Sequence, residues 1–166
     1  MIIDLKQLFT GRAEELEIDC ALDFSDFEYQ NNRPFLEPVR VRGKITAGAN
    51  FLLLDAAADF IHHCACDRCL AQIKRPVQVR ILHDLVSSLT EGDDSQVLIE
   101  GDKLDLGELV LEDLILNLPT KNLCREDCAG ICHECGKDLN KGGCGCRAGR
   151  VDPRFKILRQ LTDNTD

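Results

Sequence analysis

The chain has 166 residues, 44% hydrophobic and 30% charged, with a net charge of −9. That length suits one domain with a real core plus a small appendage, and no apolar run approaches the roughly 18 to 20 residues of a membrane span. The acidic balance argues against binding nucleic acid through the protein's overall field.

In chain order, Met1 to Lys6 lacks a basic region, a continuous apolar stretch and a small-residue cleavage site, so a cytoplasmic location is expected. Ile2, Ile3, Leu5, Leu8 and Phe9 fit one helical turn or an initial strand. From Glu14 to Phe27 the pattern alternates, with Leu16, Ile18, Cys20 and Leu22 on one face, which predicts a half-buried strand. Residues 31–34, Asn-Asn-Arg-Pro, read as a turn. Val39 to Thr46 alternates with period two, and residues 47–50 supply a hairpin connection to a second strand from Phe51 to about His63. Ala71 to Val86 alternates again as a third antiparallel strand, which places Cys66 and Cys69 in the turn at one end of the sheet. Thr90 to Ser95 reads as an acidic surface loop, and Gln96 to Glu100 as a short further strand.

Asp105 has the features of a helix N-cap, with Glu108 in the capping-box position and Pro119 as the stop. Leu106, Leu109, Val110, Leu114 and Leu118 form the stripe that packs on the sheet, while Glu108, Glu112 and Asp113 are expected to face outwards. A last short helix is predicted from Asp152 to Leu161, opened by Asp152-Pro153. His62, His63 and His83 read as ordinary surface or sheet residues. Cys20 and Cys64 read as small buried hydrophobes.

The other eight cysteines carry the chemistry. Cys66-Asp67-Arg68-Cys69 and Cys132-His133-Glu134-Cys135 share the C-x-x-C spacing that aims two sulfurs at one tetrahedral ion. Gly136 follows the second pair, where a knuckle needs a residue of positive φ. Cys144-Gly145-Cys146 lies among glycines that permit a bend. Locality groups Cys132, Cys135, Cys144 and Cys146 as one compact site, leaving Cys124 and Cys128 for Cys66 and Cys69. Spacing alone also allows Cys66, Cys69, Cys132 and Cys135 on one ion. Zinc, as two ions, fits these thiols best. Disulfides need an oxidising compartment, a thioredoxin-type pair needs a helix N-terminus in a βαβ unit, and neither ferredoxin spacing is matched. Two closed four-sulfur sites leave no position for a catalytic water. His133 is expected to be exposed on the knuckle.

The expected architecture is α+β: an antiparallel β-sheet or partly closed barrel with one packed helix (residues 1–121) and a cysteine-rich zinc lobe (122–166) that shares a metal site with Cys66 and Cys69. Residues 121–160 carry nine Lys/Arg against five Asp/Glu. Lys137, Lys141, Arg147, Arg150 and Arg154 are thus candidate phosphate contacts, unless this charge only offsets that of zinc-bound thiolates.

Cys66 to Leu70, then Leu104 to Pro119, then the six cysteines from Cys124 to Cys146 and Asp152-Pro153-Arg154-Phe155, together resemble the YceD family, also called the DUF177 domain family. The resemblance spans most of the chain from Cys66 to Leu161. It implies a cytoplasmic, non-enzymatic factor for accumulation or maturation of large-subunit (23S) ribosomal RNA and for large-subunit assembly. Its partners would be the large-subunit precursor, its RNA or its proteins, with no membrane and no small-molecule substrate. Family members that keep the first C-x-x-C and a His/Cys pair but lack the later cysteines imply pairing of Cys66 and Cys69 with Cys124 and Cys128. The rival expectation is a zinc-stabilised protein–protein adaptor that never touches RNA.

Overall fold

The computed structural model describes residues 1–48, 51–86, 96–99 and 101–146. The predicted acidic loop and the terminal helix lie outside the described residues, as do Arg147, Arg150 and Arg154.

The amino-terminal segment forms both of the structures its pattern allowed. Strand β1 (Ile2–Asp4) is followed by the single-turn helix α1 (Lys6–Phe9), and the buried Leu5 and Leu8 turn into the core. Four long or medium strands follow: β2 (Glu15–Leu22), β3 (Val39–Ala47), β4 (Leu52–Ala65) and β5 (Gln72–Val86). They pair in sequence order as antiparallel neighbours. The period-two patterning sets their register, because a one-residue slip would turn every apolar side chain to water. Cys20, Val41, Ala58 and Val79 thus lie side by side across four strands on the inner face. Gly43 stands opposite Ala56, where a Cβ would overlap the Asp55 carbonyl and the Ala56 backbone. Only glycine lets β3 and β4 approach this closely.

The short strand β6 (Gln96–Leu98) adds to β5 in parallel, so the five-stranded sheet is mixed rather than wholly antiparallel. Alternation cannot reveal this, since it reads the same in either direction. The sheet is open, with β2 and β6 at its two edges, so the barrel alternative does not hold. A second, two-stranded sheet joins β1 to β7 (Lys103–Asp105) and leads directly into helix α2 (Leu106–Leu116).

Asp105 caps α2 as expected, its carboxylate accepting from the amides of Gly107 and Glu108 at 2.9 and 3.2 Å. The Glu108 amide and, after it, the Met1 ammonium at 3.1 Å hold the Asp105 carboxyl below its usual range. The helix ends at Leu116, earlier than Leu118, with Asn117 in the cap. Leu106, Leu109, Val110 and Leu114 are buried against the sheet's inner face. Asp113 departs from expectation: it turns inward and meets His83 Nε2 of β5 at 2.8 Å, fastening helix to sheet.

Phe35 is fully buried, with the rings of Phe24, Phe27 and Phe60 at centroid distances of 6.1, 6.1 and 5.1 Å. This cluster anchors the β2–β3 connection beyond the end of β3, where β4 would otherwise have a bare edge. There the His63 amide donates to Pro34 O at 3.0 Å, and Asn32 Nδ2 donates to His63 O at 2.8 Å. The connection therefore buries His62 and His63 to 3% and 8% exposure, so of the two expectations, surface or sheet residues, the sheet one holds.

The outer face of the sheet is charged, and four of its cations are paired across strands, while the exposed Lys74 of β5 is not paired among the described residues. Arg40 meets Asp19, Lys44 meets Glu15, Arg42 meets Asp59 and Arg80 meets Asp55, at 3.0–3.3 Å. Such exposed pairs stabilise the fold little, because water and salt screen them. Their larger effect is to neutralise four cations that would otherwise attract phosphate.

Candidate metal centres

Two backbone turns of the same design present the two C-x-x-C pairs. At the β4–β5 hairpin the Cys66 amide donates to Ala71 O at 2.8 Å, and the Leu70 amide donates to Cys66 O at 2.9 Å. In the later turn the Cys132 amide donates to Lys137 O and the Gly136 amide to Cys132 O, both at 2.8 Å. The residue after the second cysteine is left-handed in both, Leu70 at φ 60° and Gly136 at φ 71°. The positive φ at Gly136 was legible from its residue type. Leu70 was not, because a branched side chain seldom adopts that conformation.

The fold assembles the eight cysteines into two tetrads: Cys66, Cys69, Cys124 and Cys128, and Cys132, Cys135, Cys144 and Cys146. Within each, all four sulfurs lie within 4.8 Å of one another. Cys66 Sγ stands 3.8 Å from Cys128 Sγ, and Cys69 Sγ 3.6 Å from Cys124 Sγ. A disulfide would need about 2.05 Å. A tetrahedron with metal–sulfur bonds of about 2.3 Å has edges of about 3.8 Å, so the first tetrad fits one ion closely. The grouping that mixed Cys66 and Cys69 with Cys132 and Cys135 does not occur. Cys64 is buried and Cys20 half-buried, and neither joins a tetrad.

The protonation of the thiols follows from this crowding. Burial raises the Cys66 thiol, but amide donation from Cys124, Arg68 and Cys69 outweighs it and brings the group down to about 6. In the second tetrad the amides of Cys135 and Glu134, with the Cys144 thiol, bring Cys132 down to about 6. The last members go the other way. Cys124, beside Cys128, is pushed up to about 12, and Cys146, beside Cys135 and Cys144, likewise to about 12. Four adjacent sulfurs cannot all ionise unaided, and a divalent cation removes that repulsion.

The residues around the first tetrad clamp two distant segments together. Asp67 donates its amide to Asn122 O at 2.8 Å and accepts the Asn122 amide on Oδ2 at 2.7 Å. Arg68 Nη1 donates to Cys128 O at 2.8 Å, and its carbonyl accepts from the Ile131 amide at 3.0 Å. The two residues inside the first C-x-x-C therefore do what a β-ladder would do between neighbours. Their polarity was visible in the sequence, but their partners were not.

Asn140 was missed altogether. It lies on a 3-10 turn (Leu139–Lys141) inside the loop of the second tetrad, yet its Nδ2 stands 3.4 Å from Cys128 Sγ of the first. Its Oδ1 accepts from the Ala129 amide at 2.9 Å and from Arg125 Nη2 at 2.7 Å. One side chain thus bridges both centres.

Of the candidate phosphate contacts, Lys137 and Lys141 lie within the described residues and are exposed. Lys137 Nζ donates to Gly143 O at 2.9 Å, and Lys141 Nζ lies 3.7 Å from Asp138. His133 is exposed, as expected, and belongs to neither tetrad.

The sequence profile described as "Large ribosomal RNA subunit accumulation protein YceD" matches residues 54–162, a span that begins in β4 and takes in both tetrads. The chain belongs to the YceD family. Its relatives include the uncharacterised protein YlbN of Bacillus subtilis, 25% identical over 164 residues that cover 96% of this chain and 95% of that protein. Uncharacterised proteins of Mycobacterium tuberculosis and Mycobacterium bovis are 30% identical over 116 residues, 66% of this chain and 55% of theirs. The chain thus matches about half the length of these mycobacterial members of the YceD family. No solved structure matches the chain.

Proposed function

We propose that this YceD family member is a non-enzymatic factor that supports accumulation and maturation of large-subunit (23S) ribosomal RNA, acting in the cytoplasm on the large-subunit precursor. The observation that carries this reading is the family match across both tetrads, because the family is named for large ribosomal RNA subunit accumulation. The chemistry agrees with it. Each tetrad suits one zinc ion held by Cys66, Cys69, Cys124 and Cys128 or by Cys132, Cys135, Cys144 and Cys146. Such an ion, with four sulfurs, supplies structure and leaves no position for a reacting water. No helix among the described residues is long and apolar enough to cross a membrane.

In this reading residues 1–121 form an acidic body and residues 122–166 a lobe in which eight Lys/Arg stand against seven Asp/Glu. Lys137, Lys141, Arg147, Arg150 and Arg154 face phosphate, and the body meets basic ribosomal proteins. The test is sedimentation of a gentle low-salt lysate. The protein is expected to travel with large-subunit precursors and to leave them as salt rises. Migration only at the top of the gradient counts against the reading, and crosslinking to protein without RNA favours an adaptor instead.

A further inference from the structure

A cleft of about 370 Å³ lies between the turn at residues 29–32, the far end of β4 and the segment leaving α2. Neither metal centre uses it. The Tyr29–Asn32 turn closes on itself through paired backbone bonds of 2.8 and 3.0 Å, with Gln30 at φ 51° and Asn31 at φ 59°. Two adjacent left-handed residues without glycine are costly, and such strain gathers where side chains must be aimed.

The lining of the cleft is polar yet almost uncharged. Among the described residues, the side chains of Tyr29, Gln30, Asn31, Gln72 and Asn122 make no hydrogen bond. His62 also lines the cleft, and its Nδ1 is buried without a partner. The one carboxylate, Asp67, is already engaged by the Asn122 amide, and no lysine or arginine contributes. An anionic ligand would find no cation there, and Asp67, which holds the Asn122 amide on Oδ2, is the cleft's one charge. A neutral planar group with donors and acceptors along its edge matches amides, phenol and imidazole, while Leu118 and Pro119 offer flat apolar wall. Just outside, Arg75 donates to Leu123 O at 3.2 Å and supplies a nearby cation for a phosphate.

We propose that this cleft receives one unstacked nucleobase of single-stranded RNA, its edge read by Asn31, Gln72, Asn122 and His62 and its face laid against Tyr29 or the Leu118–Pro119 wall. The proposal rests on the ribosomal RNA reading and deepens it. The lobe's cations hold the backbone, and the cleft demands an unpaired base, because a base inside a duplex cannot present its edge.

The test measures anisotropy of a labelled short single-stranded RNA with the full, metal-loaded chain. The double variant Asn31→Ala, Gln72→Ala changes two exposed side chains, and unchanged metal content and thermal transition confirm its fold. We expect about tenfold weaker binding at every salt concentration with an unchanged salt slope, because a base contact is lost and no phosphate contact. Affinity within about twofold of the parent overturns the proposal, as does a parent that binds no single-stranded RNA. A photo-crosslinker at Gln30 that captures nucleotide supports it, whereas capture of ribosomal protein alone overturns it. If parent and variant bind RNA and sediment alike, the cleft falls and the large-subunit reading stands. If the parent itself fails to sediment with precursors, the reading falls.

Discussion

The two tetrads have the same ligands and opposite reach. The second draws all four sulfurs from residues 132–146, and an ion there organises one short loop. The first joins Cys66 and Cys69, on the β4–β5 hairpin, to Cys124 and Cys128 beyond α2, so an ion there closes a long stretch of chain. Loop-closure entropy grows only slowly with length, while structural zinc contributes on the order of 10 kcal/mol or more. The same chemistry would therefore fix tertiary structure in one place and a local turn in the other. Asn140 qualifies the division, since the local loop delivers a hydrogen bond to a sulfur of the long-range site.

The sharpest way to break this comparison is to remove one ligand from each tetrad. Cys124→Ser is expected to cost several kcal/mol and lower the main thermal transition by about 10 °C or more. Cys144→Ser should leave the transition of the β-sheet body within about 3 °C, the shift expected for roughly 1 kcal/mol. Calorimetry of the zinc-loaded chain checks both, and equal losses would show that the tetrads do not differ in reach.

Acid should empty both tetrads together. The fold favours thiolate at Cys66 and Cys132, so that contribution is present above the ordinary thiol range and is lost as pH falls through about 6. Cys124 and Cys146, near 12, stay protonated at neutral pH in the metal-free chain. Metal binding must therefore release protons, and affinity should rise with pH. Titration with a chromophoric chelator from pH 8 to pH 5 measures this, and a flat profile would rule out thiolate ligation.

Asn140→Ala probes the link between the centres. It removes the donor to Cys128 Sγ and the acceptor for Ala129 and Arg125. Release of the first ion to a chelator should quicken by about 10- to 100-fold, as for other lost outer partners of a metal ligand. A first-site rate that stays put while the second-site rate rises would confine Asn140 to its own loop. The smallest effect is expected at Leu70, 63% exposed and left-handed. Leu70→Gly should change stability by no more than about 1 kcal/mol, glycine's relief of strain opposing its entropy, and should leave metal content unchanged.

Much of the molecule was legible because its signals are local. Alternation marked β2, β3 and β5, the hairpin connection placed β4 between them, Asp105 with Glu108 marked the start of α2, and Cys132 to Cys146 were close enough in sequence to name one another as partners. Family resemblance, together with elimination, paired Cys66 and Cys69 with Cys124 and Cys128. What the sequence left open depends on contacts between distant segments. The parallel direction of β6, the open edge in place of a barrel, the burial of His62 and His63 under the β2–β3 connection, and the inward turn of Asp113 to His83 follow from how the chain is routed. The same holds for Asn140, since an asparagine in a glycine-rich loop reads as a turn residue until the fold sets a sulfur 3.4 Å away. Periodicity and spacing thus determined which residues form strands, helix and knuckles, because those depend on hydrogen bonds a few residues apart. Tertiary structure alone decided which surfaces meet, because sheet register and buried apolar area are properties of the assembled chain.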